Sequence, residues 1–244
     1  MPDLINRYVQ AVLEGRRPST HAPASTPEQL VGAAAEALNA AGAGLTLNGP
    51  LRIPFAATSD EVRHTEQLET TLGTGPSLEA AAAAHPVTAD TATLRRRWPL
   101  YLDVLLEQTP FRSVVSLPLV WPGGAEPVAA LDLYYADPEP EPALSHYQTQ
   151  YVVSTVTTVL LLQDLALDLQ FAEPGLGATM PEPARARMTV WTASGMVMAA
   201  TGSDELDSLA LMRAHAFSRN LTLDALARQL VDGRVPVDDL TTSQ

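Results

Sequence analysis

Five histidines, one serine at the head of an alanine-rich segment, and three arginines followed by a tryptophan are the residues whose types could do chemistry in this chain. His21, His64, His85, His146 and His215 are scattered, with no pair at metal-ligand spacing, so they predict neither a metal centre nor a catalytic base. Ser77 follows Pro76 near a helix start, where a nucleophile could be activated, yet no base lies near it in sequence and helix capping accounts for it. Arg95-Arg96-Arg97-Trp98 joins cations to an aromatic ring as nucleic-acid sites do, but it lies in an acidic stretch, and a solvated helix start or an ion-pairing patch is the expectation. HExxH, GxSxG, GxGxxG and the phosphate-cradling GxxxxGK motif are all absent. The chain is therefore expected to be no enzyme, with no catalytic residues, no metal and no cofactor. The absence of cysteine excludes disulfides, zinc ribbons, iron–sulfur clusters and thiol nucleophiles.

With 244 residues, 46% hydrophobic, 18% charged and mean hydropathy +0.02, the chain can bury at least one full core. All 15 basic residues are arginine, against 28 acids, for a net charge of −13, which excludes a globally basic nucleic-acid binder. The stretch Met1 to Gly15 is interrupted by Asp3, Asn6, Arg7 and Glu14, so no signal peptide is expected. The most apolar stretch, Tyr151 to Leu162, contains Ser154, Thr155, Thr157 and Thr158 and falls short of the ~20 residues a membrane span needs. A soluble, cytoplasmic protein without membrane contact is the expectation.

Charge divides the chain. Residues 1–184 carry nine arginines and 21 acids, residues 185–244 six arginines and seven acids. Between them, Ala172 to Pro183 holds Pro174, Gly175, Gly177, Pro181 and Pro183, a composition that propagates neither helix nor sheet. The expected organisation is an N-terminal helical segment over 1–25, a first domain over 26–171, a linker over 172–183 and a second domain over 184–244.

In the first domain, Thr26, Pro27 and Gln29 predict a helix to about Ala41, ended by Gly42 and Gly44. Ala43 to Asn48 and Leu51 to Ala57 read as strands joined at Asn48-Gly49. Thr58 to Glu61 reads as a capping box opening a helix that stops at Gly73, and Pro76 opens another that Pro86 stops. A helix through Trp98 to Gln108 follows. Ser113 to Val120 and Val128 to Tyr135 alternate with period two, as paired strands do, predicting a mostly antiparallel sheet. A long helix from Ser145 to about Phe171 is expected to act as a signalling or dimerisation rod.

After the linker the periodicity is helical. Val190, Ala193, Val197 and Ala200, then Leu206, Leu209 and Ala210, then Leu223, Leu226, Ala227, Leu230 and Val231 predict three short helices in a bundle, with Ser203 and Thr222 as N-caps and Gly233 closing the last. Spacing puts His215, Ser218 and Arg219 on one side of the second helix and Leu206, Leu209 and Met212 toward another. In the first helix, Trp191, Ser194, Gly195 and Met198 are expected opposite Val190, Ala193 and Val197.

The first domain resembles a GAF domain of actinobacterial regulators in Leu72-Gly73-Thr74-Gly75-Pro76-Ser77-Leu78-Glu79-Ala80, Pro86-Val87, Trp98-Pro99, Arg112-Ser113-Val114-Val115-Ser116-Leu117-Pro118-Leu119 and Ala130-Leu131-Asp132-Leu133-Tyr134. The resemblance implies an antiparallel sheet flanked by helices, a pocket for a small ligand and dimerisation through terminal helices. Where relatives often place cysteine after Gly-Pro this chain has Ser77, so thiol-based sensing is excluded there.

The second domain resembles an ANTAR domain, the RNA-binding antitermination module, in Ala193-Ser194-Gly195-Met196-Val197, Leu209-Ala210-Leu211-Met212-Arg213-Ala214-His215-Ala216-Phe217 and Leu223-Asp224-Ala225-Leu226-Ala227. The implied fold is α+β, a GAF-like antiparallel sheet followed by an all-α three-helix bundle. The implied function is a homodimeric antiterminator that binds paired stem-loops in messenger leaders, with Ser194, Arg213, His215, Arg219 and Arg228 facing RNA. Arg185 to Arg234 holds six arginines and five acids, so local charge there is close to balanced despite the acidic whole. The alternative is a ligand sensor whose C-terminal bundle docks a protein partner.

Overall fold

A computed structural model describes residues 27–49, 51–120, 124–140, 145, 153, 154, 156 and 182–240. The expected N-terminal segment, most of the long helix and nearly all of the linker lie outside the described residues. The chain divides into two compact units, Met1–Glu66 with Thr74–Phe171, and Gln67–Gly73 with Ala172–Gln244.

The first unit is built on a five-stranded antiparallel sheet of order β2-β1-β5-β4-β3, flanked by helices. Its strands are β1 (Gly42–Leu47), β2 (Ile53–Ala57), β3 (Val87–Ala89), β4 (Ser113–Val120) and β5 (Pro127–Tyr135). Its helices are α1 (Pro27–Ala37), α2 (Asp60–Leu72, continuing into the second unit), α3 (Pro76–Ala83), α4 (Thr91–Arg97) and α5 (Pro99–Gln108). Two prolines obey the ladder: Pro54 lies on the edge strand β2, and Pro118 lies in β4 beyond the reach of β3, whose pairing with β4 ends at Ser116.

Alternation sorts the sheet into two unlike faces. Ala43, Leu45, Val115, Leu117, Leu119, Leu131, Leu133 and Tyr135 form an apolar face with Leu30, Val31 and Ala34 of α1. The other face carries Gly44 and Thr46 of β1, Ser116 of β4, and Asp132 and Tyr134 of β5. Thr46, Ser116, Asp132 and Tyr134 are at most 1% exposed, so this polar face is covered rather than solvated.

Several expected boundaries move. Helix α1 stops at Ala37 because Asn39 adopts a left-handed backbone (φ 57°) and Ala40 N–H closes on the Ala35 carbonyl at 2.8 Å. Gly42 is instead the first residue of β1, where a Cβ would stand 2.6 Å from Cγ2 of Val62. At the start of α2 the cap is Ser59, which accepts from Val62 N–H at 3.3 Å, because the Thr58 hydroxyl is taken by Ala43 N–H at 3.0 Å. The Arg95–Arg97 run ends helix α4 rather than starting one, where cations oppose the negative end of the helix dipole. Arg97 pairs with Glu79 and lies over the Trp98 ring at 4.5 Å.

In the second unit α6 (Glu182–Thr201), α7 (Glu205–Ser218) and α8 (Leu223–Val231) pack on one another, with a 3-10 turn at Val237–Leu240. Val190, Ala193 and Val197 meet Leu209, Met212, Ala216, Leu223, Leu226, Ala227 and Leu230 in the core. Thr222 caps α8 as the sequence predicts, and Gly233 follows with φ 69°. Asp204, not Ser203, caps α7, accepting from Asp207 N–H at 2.9 Å, while the Ser203 hydroxyl is bonded to that of Thr201. Leu206, expected to share a side with Leu209 and Met212, is 77% exposed. Buried at its centre is an ion pair, Arg187 Nη2 to Asp224 Oδ2 at 3.2 Å, with side chains only 3% and 5% exposed.

Candidate functional site

The covered polar face gathers side chains from five elements of the first unit. Ser77, in the first turn of α3, donates its hydroxyl to Asp132 Oδ2 at 2.6 Å and accepts from Arg52 Nη2 at 2.7 Å. The expectation that Ser77 serves as a helix cap is thereby corrected: Gly75 is the N-cap of α3 and makes no side-chain cap bond, while the serine hydroxyl is committed to the sheet. Beside this chain, Glu66 of α2 accepts from Tyr134 Oη at 2.7 Å through Oε1 and from the Thr46 hydroxyl through Oε2. Tyr134 is held in turn by Phe111, whose ring stacks on it at 5.0 Å between centroids.

Glu66 reaches this position because Gly44 has no side chain. A Cβ at residue 44 would stand 2.2 Å from Oε1 of Glu66. In this surrounding the Asp132 carboxyl titrates above its usual range, because complete burial penalises the charged form. The Arg52 charge and the Ser116, Ser77 and Glu66 side chains oppose that shift without cancelling it. Ser116 is the direct cross-strand partner of Asp132. Its hydroxyl interacts with the Asp132 carboxyl and favours the charged form. The arrangement joins a buried guanidinium, two carboxyls and several hydroxyls, and the Ser77 hydroxyl donates its hydrogen bond to the Asp132 carboxyl.

Sequence reasoning missed this cluster because its members are far apart in the chain, 55 residues in the case of Ser77 and Asp132. The signal was present in Leu131-Asp132-Leu133 and Val115-Ser116-Leu117, where one polar residue interrupts an apolar strand. Alternation alone assigns such a residue to the opposite face, and cannot say whether that face meets water or a helix.

The five residues expected to face RNA are placed unequally in the second unit. Ser194 is 5% exposed and its hydroxyl meets that of Ser208 at 2.7 Å, so it is removed from any solvent-facing set. Its misplacement has a geometric cause: α6 packs on both α7 and α8, and its buried arc is wide enough to include Ser194 beside Val190, Ala193 and Val197. Arg213 is half-buried and donates from Nε to the Thr70 carbonyl at 3.1 Å, a bond inside the second unit, and burial disfavours its charged form. His215 has its pKa lowered, first by burial and then by the Arg219 charge, with Asp239 opposing, so its imidazole is neutral at neutral pH. Arg219 and Arg228 are exposed, and among the described residues neither has a carboxylate within ion-pair distance.

Among the described residues no group of three or more acidic or histidine side chains is arranged to hold a metal ion, and no helix is long and apolar enough to cross a membrane.

What fold and site define is an α+β protein with a covered polar sheet face and a separate helical unit. No protein-family model matches the sequence, and no curated protein matches it. Among solved structures, it is similar to the GAF domain of an Acinetobacter phosphoenolpyruvate-protein phosphotransferase, with 14% identity and TM-score 0.44 over 68% of this chain and 95% of that one. It is similar to the corresponding GAF domain from Coxiella burnetii, with 13% identity and TM-score 0.45 over 68% and 96%. Escherichia coli SdiA aligns with 14% identity and TM-score 0.46 over 99% of this chain and 100% of that one.

Proposed function

We propose that this chain is a two-part cytoplasmic regulator in which a GAF-type sensor controls an ANTAR-type helical unit that binds paired stem-loops in messenger leaders, acting as a homodimer. The GAF-like motifs support the first half, since Ser77, Ser116 and Asp132, all within those motifs, meet on the covered face of the sheet. The second half is carried by one observation: Arg219 and Arg228 are exposed and, among the described residues, have no carboxylate within ion-pair distance. A planar guanidinium can bridge phosphate oxygens or stack on an unpaired loop base. At physiological ionic strength charges beyond about 8 Å are strongly screened, so these local cations, rather than the net charge of −13, govern an encounter with RNA. No catalysis, cofactor or metal enters this reading.

A dimer with two weak loop sites gains through effective concentration, so a two-loop RNA is expected to bind far more tightly than a one-loop control. Mobility-shift titration of both RNAs with the full chain tests this, and equal affinities would remove the bivalent mechanism. A second reading, docking of a protein partner, is favoured by the exposed apolar side chains Leu206, Met188, Trp191 and Phe217. It predicts no shift with either RNA.

A further inference from the structure

We infer that two copies of this chain meet on the outward face of α6, helix against antiparallel helix about a two-fold axis at Gly195. The inference deepens the homodimer of the proposed function and rests on that part of it alone. Helix α6 buries Val190, Ala193 and Val197 against α7 and α8. Helical spacing turns Met188, Trp191, Thr192, Gly195, Met196 and Ala199 away from that core, and all six are exposed. Met188 and Trp191 are 56% and 49% exposed. From Met188 through Ser203 the sequence holds no charged residue, so about three turns of a surface helix present no charge to water. A helix apolar all round is ordinarily a buried one. The Thr192 hydroxyl donates to the Met188 carbonyl at 3.0 Å, so covering this face strands no hydroxyl there. Gly195 adds an independent sign. A Cβ at this position would meet nothing within 4 Å, so nothing inside the chain requires glycine, although glycine weakens a helix interior relative to alanine. Close approach of a second backbone from outside supplies the reason.

Charge selects a second copy as the occupant and fixes its direction. RNA seeks cations, and the face offers none between Met188 and Ala199. Arg219 and Arg228 belong to the end of α7 and to α8, which pack on the other side of α6. With a net charge of −13, two copies repel one another over most of their surface, and an uncharged face is where that repulsion is least. Arg185 is exposed at one end of the face and makes no ion pair among the described residues, while the exposed Asp204 and Glu205 follow its other end. A parallel pair would set arginine against arginine and acid against acid. An antiparallel pair sets each Arg185 beside the partner's Asp204 and Glu205, and it also opposes the helix dipoles. Gly195 lies midway in sequence between Arg185 and Glu205, so in that pair it meets itself, the self-complementarity that a two-fold interface requires. Trp191 of each copy is then level with the partner's Ala199, a large side chain beside a small one.

Sedimentation equilibrium of the full chain tests the assignment, with circular dichroism reporting that each variant folds. The wild-type mass is expected to rise with concentration from 26.0 kDa toward twice that value. Trp191→Glu should weaken association at least about thirtyfold, the loss typical of a central aromatic anchor, whereas Leu206→Glu on α7 should leave it unchanged. Arg185→Glu should weaken it, and Arg185→Glu combined with Glu205→Arg should restore it. Since the chain has no cysteine, Gly195→Cys carries a single thiol, set in open space within its own chain, and mild oxidation should link two copies through it. A dimer unmoved by Trp191→Glu and not cross-linked through Gly195→Cys overturns this interface and leaves the homodimer standing. A chain that stays monomeric at every concentration removes both. In that monomer a Gly195→Cys thiol that resists alkylation assigns the face to a segment of its own chain, and one shielded only when RNA is added assigns it to RNA.

Discussion

Ser77 and Asp132, 55 residues apart, are joined by a 2.6 Å hydrogen bond that ties the first turn of α3 to the middle of β5. Since the same hydroxyl accepts from Arg52, Ser77→Ala removes a donor from one buried group and an acceptor from the other. The expected cost is about 1–3 kcal/mol, the penalty for leaving buried polar groups unsatisfied. Urea unfolding followed by circular dichroism measures it, and a midpoint equal to wild type would show that the bond contributes nothing.

Burial raises the Asp132 pKa above its usual 3.8, and the sign of the linkage follows. Below 3.8 both folded and unfolded states hold the proton. As pH rises above that value the unfolded chain releases its proton first, so the contribution of Asp132 to stability is lost progressively until the folded carboxyl also titrates. Asp132→Asn lacks this dependence. The stability of wild type relative to the variant should therefore fall as pH rises above about 4, a trend that urea midpoints at each pH can reveal. A difference that stays constant, or moves the other way, contradicts the assignment.

The Arg187–Asp224 pair in the second unit predicts an asymmetry. Asp224→Ala removes the carboxylate that pairs with a buried guanidinium and should cost about 3–5 kcal/mol, whereas replacing both residues, as in Arg187→Met with Asp224→Leu, should cost far less. Thermal unfolding of the two variants decides the matter; equal losses would mean that the desolvation of Arg187 is not the controlling quantity.

Arg219→Ala and Arg228→Ala remove exposed charges that make no ion pairs among the described residues, so each should leave the unfolding midpoint within about 0.5 kcal/mol of wild type. Each should weaken RNA binding and lower the slope of log affinity against log salt by about 0.7, the contribution of one neutralised single-strand phosphate. Ser194→Ala, by contrast, should act on stability and leave that slope alone, because its hydroxyl faces Ser208. Slopes that do not change on removing either arginine would take those residues out of phosphate contact.

Local chemistry made much of the fold legible. The period of two in β4 and β5 named the residues of the apolar face, and Pro76, Thr222, Gly73 and Gly233 marked helix ends through backbone preferences that act within a few residues. The misplaced caps are instructive for the same reason. Thr58 and Ser59 are both competent N-caps, as are Ser203 and Asp204, and the choice fell to whichever side-chain oxygen was not drawn away, the Thr58 hydroxyl being taken by the backbone of β1 and that of Ser203 by Thr201. The candidate site was far less legible. Asp132, Ser116 and Thr46 look in sequence like the wet side of strands, and only the helices laid over them turn that side into an interior.

Composition, charge and spacing by themselves determined that this chain holds an antiparallel sheet and a run of amphipathic helices, carries no thiol chemistry, and keeps its positive charge entirely on arginine. Those properties depend on residue type and on neighbours a few positions away. Tertiary structure alone decided which arginines face solvent and which are spent inside, Arg219 and Arg228 against Arg187 and Arg213, and that Arg52, Ser77 and Asp132 form one buried chain of contacts. Burial and long-range pairing are set by how separate elements pack, and no local pattern encodes the far side of a strand.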